Sequence, residues 1–197
     1  MRVSRRAALL LALIAGTARA DEAAAAPVRG MLAALTAGMK AGRTPFADRA
    51  AALRPAVLAC FDLAAILQAA VGPRWSGFSA AQKTDLAEAF ETFTVATWVA
   101  NFNADDGTRV ALLAEQRAVG EDVVVETSVI PPSGDPTRLD YVMRKTPAGW
   151  RAVDMLVDGS ISRVAVQRSD FRALVKDGSA APLIAMLQDK AAALARQ

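Results

Sequence analysis

The apolar residues of this 197-residue chain change period twice, and those two changes limit the fold more than any single residue does. From about residue 28 to Asn101 they recur at three- and four-residue intervals, the spacing of a helix face. At Asp105-Asp106-Gly107 the period falls to two. Four short segments follow, at about 108–117, 121–130, 137–145 and 150–157, separated by Gly120, Ser133-Gly134-Asp135-Pro136 and Pro147-Ala148-Gly149. Connections this short join antiparallel neighbours, because a parallel pair needs a long crossover. After Asp158-Gly159 the helical period returns. The order predicts an α+β domain in which a four-stranded antiparallel curved sheet packs against a helical layer.

Within that frame the helix signals are local and physical. Pro27 can open a helix over about 28–40, with Met31, Leu32, Leu35 and Met39 on one side. A second stretch, about 45–53, is expected to stop before Arg54-Pro55. Asp62 is placed to cap a third helix, carrying Leu63, Ile66 and Leu67 and closed by Gly72-Pro73. Ser79 and Gln82 form a capping box that starts a helix reaching about Asn101. Its stripe of Leu86, Phe90, Phe93 and Thr97 is widened by Val95, Trp98, Val99 and Phe102, a broader apolar arc than a two-layer seam requires. Ser160 or Ser162 can cap a further helix with Val164 and Phe171, and a last one spans about 180–194. In the sheet, Val123, Val125, Thr127 and Val129 share one face, and Leu139, Tyr141 and Met143 alternate with Asp140, Val142 and Arg144.

The N-terminus reads as an export signal over residues 1–20. Arg2, Arg5 and Arg6 precede an unbroken run of Ala, Leu and Ile at 7–15, and Ala18-Arg19-Ala20 supplies a small-x-small exit. The run is too short for a permanent membrane helix. Ser4-Arg5-Arg6 leaves a twin-arginine route open beside general secretion. Residues 21–26 are then expected to form a flexible leader and 27–197 a single domain, at work outside the cytoplasm. Removing the signal takes four of 23 basic residues and no acid, leaving 19 against 20 acidic residues and a net charge of −1. The sequence pI of about 9.4 is therefore mostly a property of the signal, and no electrostatic case for nucleic-acid binding remains.

Histidine is absent, which removes His-based triads, the usual zinc sites and the common proton shuttle. The single cysteine, Cys60, lies among apolar neighbours and reads as a buried small residue. Asp105-Asp106-Gly107 lacks the rest of a calcium loop and reads as a turn. Asp62 and Asp154 are the carboxylates a catalytic reading would select. No nucleophile accompanies them, so Asp62 is taken as a helix cap and Asp154 as a partner for an arginine or the backbone. No catalytic residue, metal or cofactor is assigned.

A longer pattern is visible in the order Phe61-Asp62, Gly72-x-x-Trp75, Ser79 with Gln82, Phe90, Tyr141, Gly149-Trp150-Arg151-x-x-Asp154, Asp158-Gly159-Ser160-Ile161-Ser162, Gln167-Arg168-Ser169-x-Phe171, then Gly178 with Leu183 and Leu187. Across nearly all of the chain after the signal, this order resembles the MlaC family, also called the toluene-tolerance or ABC-transporter auxiliary family. The stretch 94–102 and Gln167-Arg168-Ser169 look most like its hopanoid-associated HpnM branch, although Trp98 stands where many relatives carry Tyr. The resemblance implies a periplasmic carrier with an apolar cavity between helices and sheet. It also implies phospholipid or hopanoid cargo, exchanged with an inner-membrane ABC-type transporter and an outer-membrane lipid-transfer complex.

Burying a lipid tail is worth about 0.8 kcal/mol per methylene, so two acyl chains represent on the order of 20 kcal/mol or more. The residues expected to line such a cavity are Phe90, Phe93, Val95, Trp98 and Phe102 on the long helix, with Val123, Val125, Val129, Tyr141, Met143 and Met155 on the sheet. Arg163 and Arg168 are the candidates for a lipid phosphate at its mouth. Two other classes compete. A non-catalytic adaptor of an envelope complex predicts a filled core and an exposed apolar patch. A small-molecule enzyme of the cone-shaped α+β type predicts a strongly perturbed Asp154 in a closed pocket.

Overall fold

Ser79 accepts a hydrogen bond from the Gln82 amide while the Gln82 side chain accepts one from the Ser79 amide, so the capping box forms as its spacing requires. The computed structural model that contains it describes residues 5–42, 44–103, 105–175 and 178–196, with side chains from residue 22 onward except Glu115. Residues 1–4 and the side chains of 5–21, where the export signal is expected, lie outside this description. The elements in chain order are α1 (Arg5–Lys40), α2 (Phe46–Cys60), α3 (Leu63–Val71), a 3₁₀ turn (Gly72–Gly77), α4 (Ala80–Asn101), β1 (Arg109–Val119), β2 (Asp122–Ile130), β3 (Thr137–Thr146), β4 (Gly149–Val157), β5 (Ile161–Ser162), α5 (Arg163–Phe171) and α6 (Ala181–Leu194). Among the described residues no helix is long and apolar enough to cross a membrane.

The architecture is α+β, but the sheet has five strands rather than four, all antiparallel in the order β1-β2-β3-β4-β5. The extra strand is only two residues long, pairing Ile161 with Val157 and Ser162 with Leu156. Two residues are too few to display a period of two, so the sequence pattern passed directly from strand to helix. Gly159 makes the intervening turn possible at φ +73°, a backbone region open to glycine. A parallel bridge between Phe61 and Ala152, with the Asp62 amide donating to the Ala152 carbonyl at 2.9 Å, ties the α2–α3 junction to β4.

Two further expectations are corrected. The helix α2 does not stop at Arg54 but runs on to Cys60 with Pro55 inside it. Pro55 is exposed, as is Ala51, whose carbonyl loses its helical donor and can turn to water. The opposite face keeps Leu53, Val57 and Cys60 buried, and that packing outweighs the missing bond. Residues 21–26, expected as a leader outside the domain, belong to α1, and Ala24 and Ala25 are fully buried.

Strand alternation sorts the sheet into two faces. Val123, Val125, Tyr141, Met143 and Ala152 join the main core with α1 residues Val28, Met31 and Leu35, so the helical layer covers that face. The other face carries Glu126 and Asp140, buried beneath the Arg138 guanidinium, which lies 2.8 Å from the first and 2.6 Å from the second. Paired in this way, two carboxylates are tolerated at a depth where a lone charge would be costly. Arg138 is held more firmly in its charged form, first by the Asp140 hydrogen bond.

Candidate functional site

The broad apolar arc of α4 has two destinations. Leu86 is fully buried and Phe90 nearly so, and the Phe90 ring meets Phe171 edge-on with centroids 6.4 Å apart. Towards its C-terminal half, α4 bounds a pocket of about 540 Å³. Phe90, Phe93, Thr94, Thr97, Trp98, Asn101 and Phe102 form one wall. Leu63 and Ile66 of α3, with Arg163, Val164 and Gln167 of α5, form a second, and Val129, Leu139, Met155 and Val157 of the sheet form the floor. The two wall threonines are internally satisfied: Thr94 donates to the Phe90 carbonyl at 2.7 Å and Thr97 to the Phe93 carbonyl at 2.8 Å. Their hydroxyl protons are thereby taken, which leaves each threonine a methyl group and an oxygen that can still accept.

Seven of the thirteen residues selected from sequence line this pocket: Phe90, Phe93, Trp98, Phe102, Val129, Met155 and Arg163. The others are elsewhere. Val123, Val125, Tyr141 and Met143 lie on the expected face of the sheet but are packed solid, from 0 to 7% exposed. Val95 points to a separate groove of about 440 Å³ shared by Phe46, Arg54, Glu91 and Ala191. Arg168 donates through Nε and one terminal nitrogen to the Ala69 carbonyl, at 2.9 and 2.7 Å, fastening α5 to the last turn of α3. Arg163 is exposed, lines the pocket, and enters no ion pair among the described residues.

Residues that sequence reasoning missed share one cause. Phe61, Leu63, Ile66 and Leu139 were visible as apolar, yet period alone does not tell which helix faces which strand. Phe61 sits at the α2–α3 junction and closes one end of the pocket, its ring 5.8 Å from Trp98 and 5.6 Å from Tyr141. Trp98 is also stacked on Phe102 at 5.6 Å. Gln167 brings a buried side-chain oxygen that has no hydrogen-bond partner.

Asp154 also lines the pocket, and its neighbours explain it. It accepts from the Met155 amide at 2.7 Å, the Ser162 hydroxyl at 2.5 Å and the Val164 amide at 3.1 Å. Ser162 in turn accepts from the Ala165 amide at 2.9 Å. The pair satisfies the exposed amides of the first turn of α5 and places a negative charge at the positive end of that helix. Asp154 therefore positions the second wall. Asp62 accepts from the Ala65 amide at 2.9 Å and caps α3 in the same manner. Cys60 is buried against the core, and burial pushes its thiol up to about 12, only partly offset by the Arg151 charge. Burial likewise pushes the Tyr141 phenol well above its ordinary value, aided by Cys60.

Among the described residues, two helical walls and the sheet border a mostly apolar recess with polar side chains at its edge. The family model described as "MlaC protein" matches residues 27–189. Among solved structures the fold is similar to that of a phospholipid-binding protein from Ralstonia solanacearum in complex with a phospholipid. That likeness has a TM-score of 0.73 and 24% sequence identity, covering 87% of this chain and 98% of that one. No curated protein matches the chain. At this identity the structural likeness speaks to the fold, whereas the family match spans most of the sequence. By that match, the chain belongs to the MlaC family.

Proposed function

We propose that this protein is a periplasmic lipid carrier that shields the hydrocarbon of a membrane lipid in the pocket between α3, α4, α5 and the sheet. The observation that carries the reading is the apolar recess of about 540 Å³ in a chain of this family. The phospholipid held by the structural relative supports the same cargo class. Shielding has a definite energetic purpose, since each methylene left in water costs about 0.8 kcal/mol. Phe90, Phe93, Trp98, Val129 and Met155 are the tail contacts, and Arg163 meets a lipid phosphate at the edge.

In this reading residues 1–20 are a cleaved export signal, and the carrier exchanges lipid with an inner-membrane ABC-type transporter and an outer-membrane complex. It binds and releases rather than catalyses, because Asp154 spends its acceptors on α5 and the chain has no histidine. The cargo of this reading is phospholipid, with hopanoid the alternative that the HpnM-like stretches suggest.

The test is to recover the protein from its native envelope, extract it, and identify bound lipid by mass spectrometry. Phospholipid is expected at a fixed ratio to protein. Hopanoid would reassign the cargo, and a protein without lipid would overturn the carrier reading.

A further inference from the structure

A carboxamide in the lining of an apolar recess has no reason in packing alone. Gln167 lines the pocket from α5, half-buried, and its Oε1 is sealed from solvent with no hydrogen-bond partner. A methionine would cover the same length of wall without that cost. The amide nitrogen of Gln167 is not sealed in this way and donates to nothing among the described residues. It is the group the side chain keeps for a ligand.

The neighbours of Gln167 indicate what that ligand group is. Arg163 lies four residues earlier on the same helix, so the two side chains share a face, about 6 Å apart along the axis. Arg163 is exposed and Gln167 half-buried, and the step from one to the other leads inward. Across the pocket Thr94 and Thr97 have given their protons to α4 carbonyls and can only accept. Asn101 is exposed at the edge, and the Trp98 indole belongs to the opposite wall, stacked on Phe102. Gln167 is thus an amide donor one helical turn inside the cation that meets the phosphate. In a glycerophospholipid the groups that follow the phosphate within a few bonds, before the hydrocarbon begins, are acyl ester carbonyls. They accept and cannot donate.

We infer that Gln167 determines specificity by donating from Nε2 to an acyl ester carbonyl of the bound lipid, while Arg163 meets its phosphate. The inference rests on the carrier reading and deepens it. The favoured cargo is an ester-linked glycerophospholipid, and a lipid with ether-linked chains lacks the carbonyl that Gln167 engages.

The experiment sets two phosphatidylglycerols against each other, alike in head group and in their sixteen-carbon chains, one ester-linked and the other ether-linked. Delipidated protein is equilibrated with vesicles holding equal amounts of both, recovered, and its bound lipids are counted by mass spectrometry. One hydrogen bond of ordinary strength is worth about fivefold, so the wild-type protein should be enriched in the ester lipid by that factor. Gln167→Met keeps the length of the side chain and removes the N–H, and Gln167→Leu is a second variant should the first perturb folding. A variant that thermal unfolding shows to be folded should take up the two lipids without preference, a change that a merely structural role would not produce. Arg163→Ala should lower the uptake of both and keep their ratio. Equal uptake by the wild-type protein would overturn the inference while leaving the carrier standing. So would an ester preference that survives in a folded Gln167 variant. No uptake of either lipid by the wild-type protein would remove the carrier reading itself.

Discussion

Replacing Asp154 by alanine should loosen the second wall of the pocket without touching its apolar lining. Three donors lose their acceptor: the Met155 amide, the Ser162 hydroxyl and the Val164 amide. The site is partly buried, so water replaces some of what is lost, and each donor costs about 1 kcal/mol rather than the full desolvation penalty. Ser162 keeps its bond to Ala165, which retains part of the cap. The sum is about 2–3 kcal/mol. For a domain of this size each kcal/mol moves Tm by about 2–4 °C, so thermal unfolding followed by circular dichroism should fall by about 4–12 °C. Asp154→Asn keeps one acceptor oxygen and should recover roughly half of the loss. Hydrogen exchange should rise first in α5. A Tm for Asp154→Ala within about 2 °C of wild type would refute the assignment of this carboxylate to the helix cap and reopen a chemical role for it.

The remaining predictions are shorter. Arg163→Ala should weaken binding of anionic lipid and flatten its salt dependence while leaving Tm within about 2 °C, because the side chain is exposed and unpaired among the described residues. An unchanged salt dependence would dissociate Arg163 from the head group. Arg168→Ala should instead cost about 1 kcal/mol of stability through its two bonds to the Ala69 carbonyl, with no change in salt dependence. Ser79→Ala should cost about 1 kcal/mol by breaking the capping box of α4, read as a lower urea midpoint at constant slope.

Alkaline titration should find Cys60 inert to a thiol reagent at pH 8, and Tyr141, the sole tyrosine, un-ionised until the fold is lost. Both groups have raised folded-state values. Their stabilising contribution is therefore complete below pH 9.0, the ordinary thiol value, and declines as pH rises past it and then past 10.0, the ordinary phenol value. Tyrosinate appearing in native protein near pH 10.0 would contradict the packing of the sheet face.

Much of the fold was legible because its determinants are local. The Ser79–Gln82 box, the Asp62 cap and the change to a two-residue period each act over a few residues, and each appears where its spacing puts it. The four longer strands begin and end within two residues of their sequence-based bounds. What failed was also local in origin. Pro55 announces a helix end, yet the buried faces of Leu53, Val57 and Cys60 carry α2 past it. A two-residue strand such as β5 has no period to announce.

The sequence by itself determined that this chain alternates helical and strand segments, that α4 has more apolar surface than one seam needs, and that histidine chemistry is unavailable. Only the tertiary structure decided which apolar residues border open space and which border one another. Val125, Tyr141 and Met143 have the right face and composition for a cavity wall, but they are packed into the core, and the Phe61 ring that borders the pocket lies against Tyr141. Periodicity specifies the direction of a side chain from its own element. Whether a neighbour reaches it depends on chain segments distant in sequence, here the α2–α3 junction pinned to β4 through Ala152.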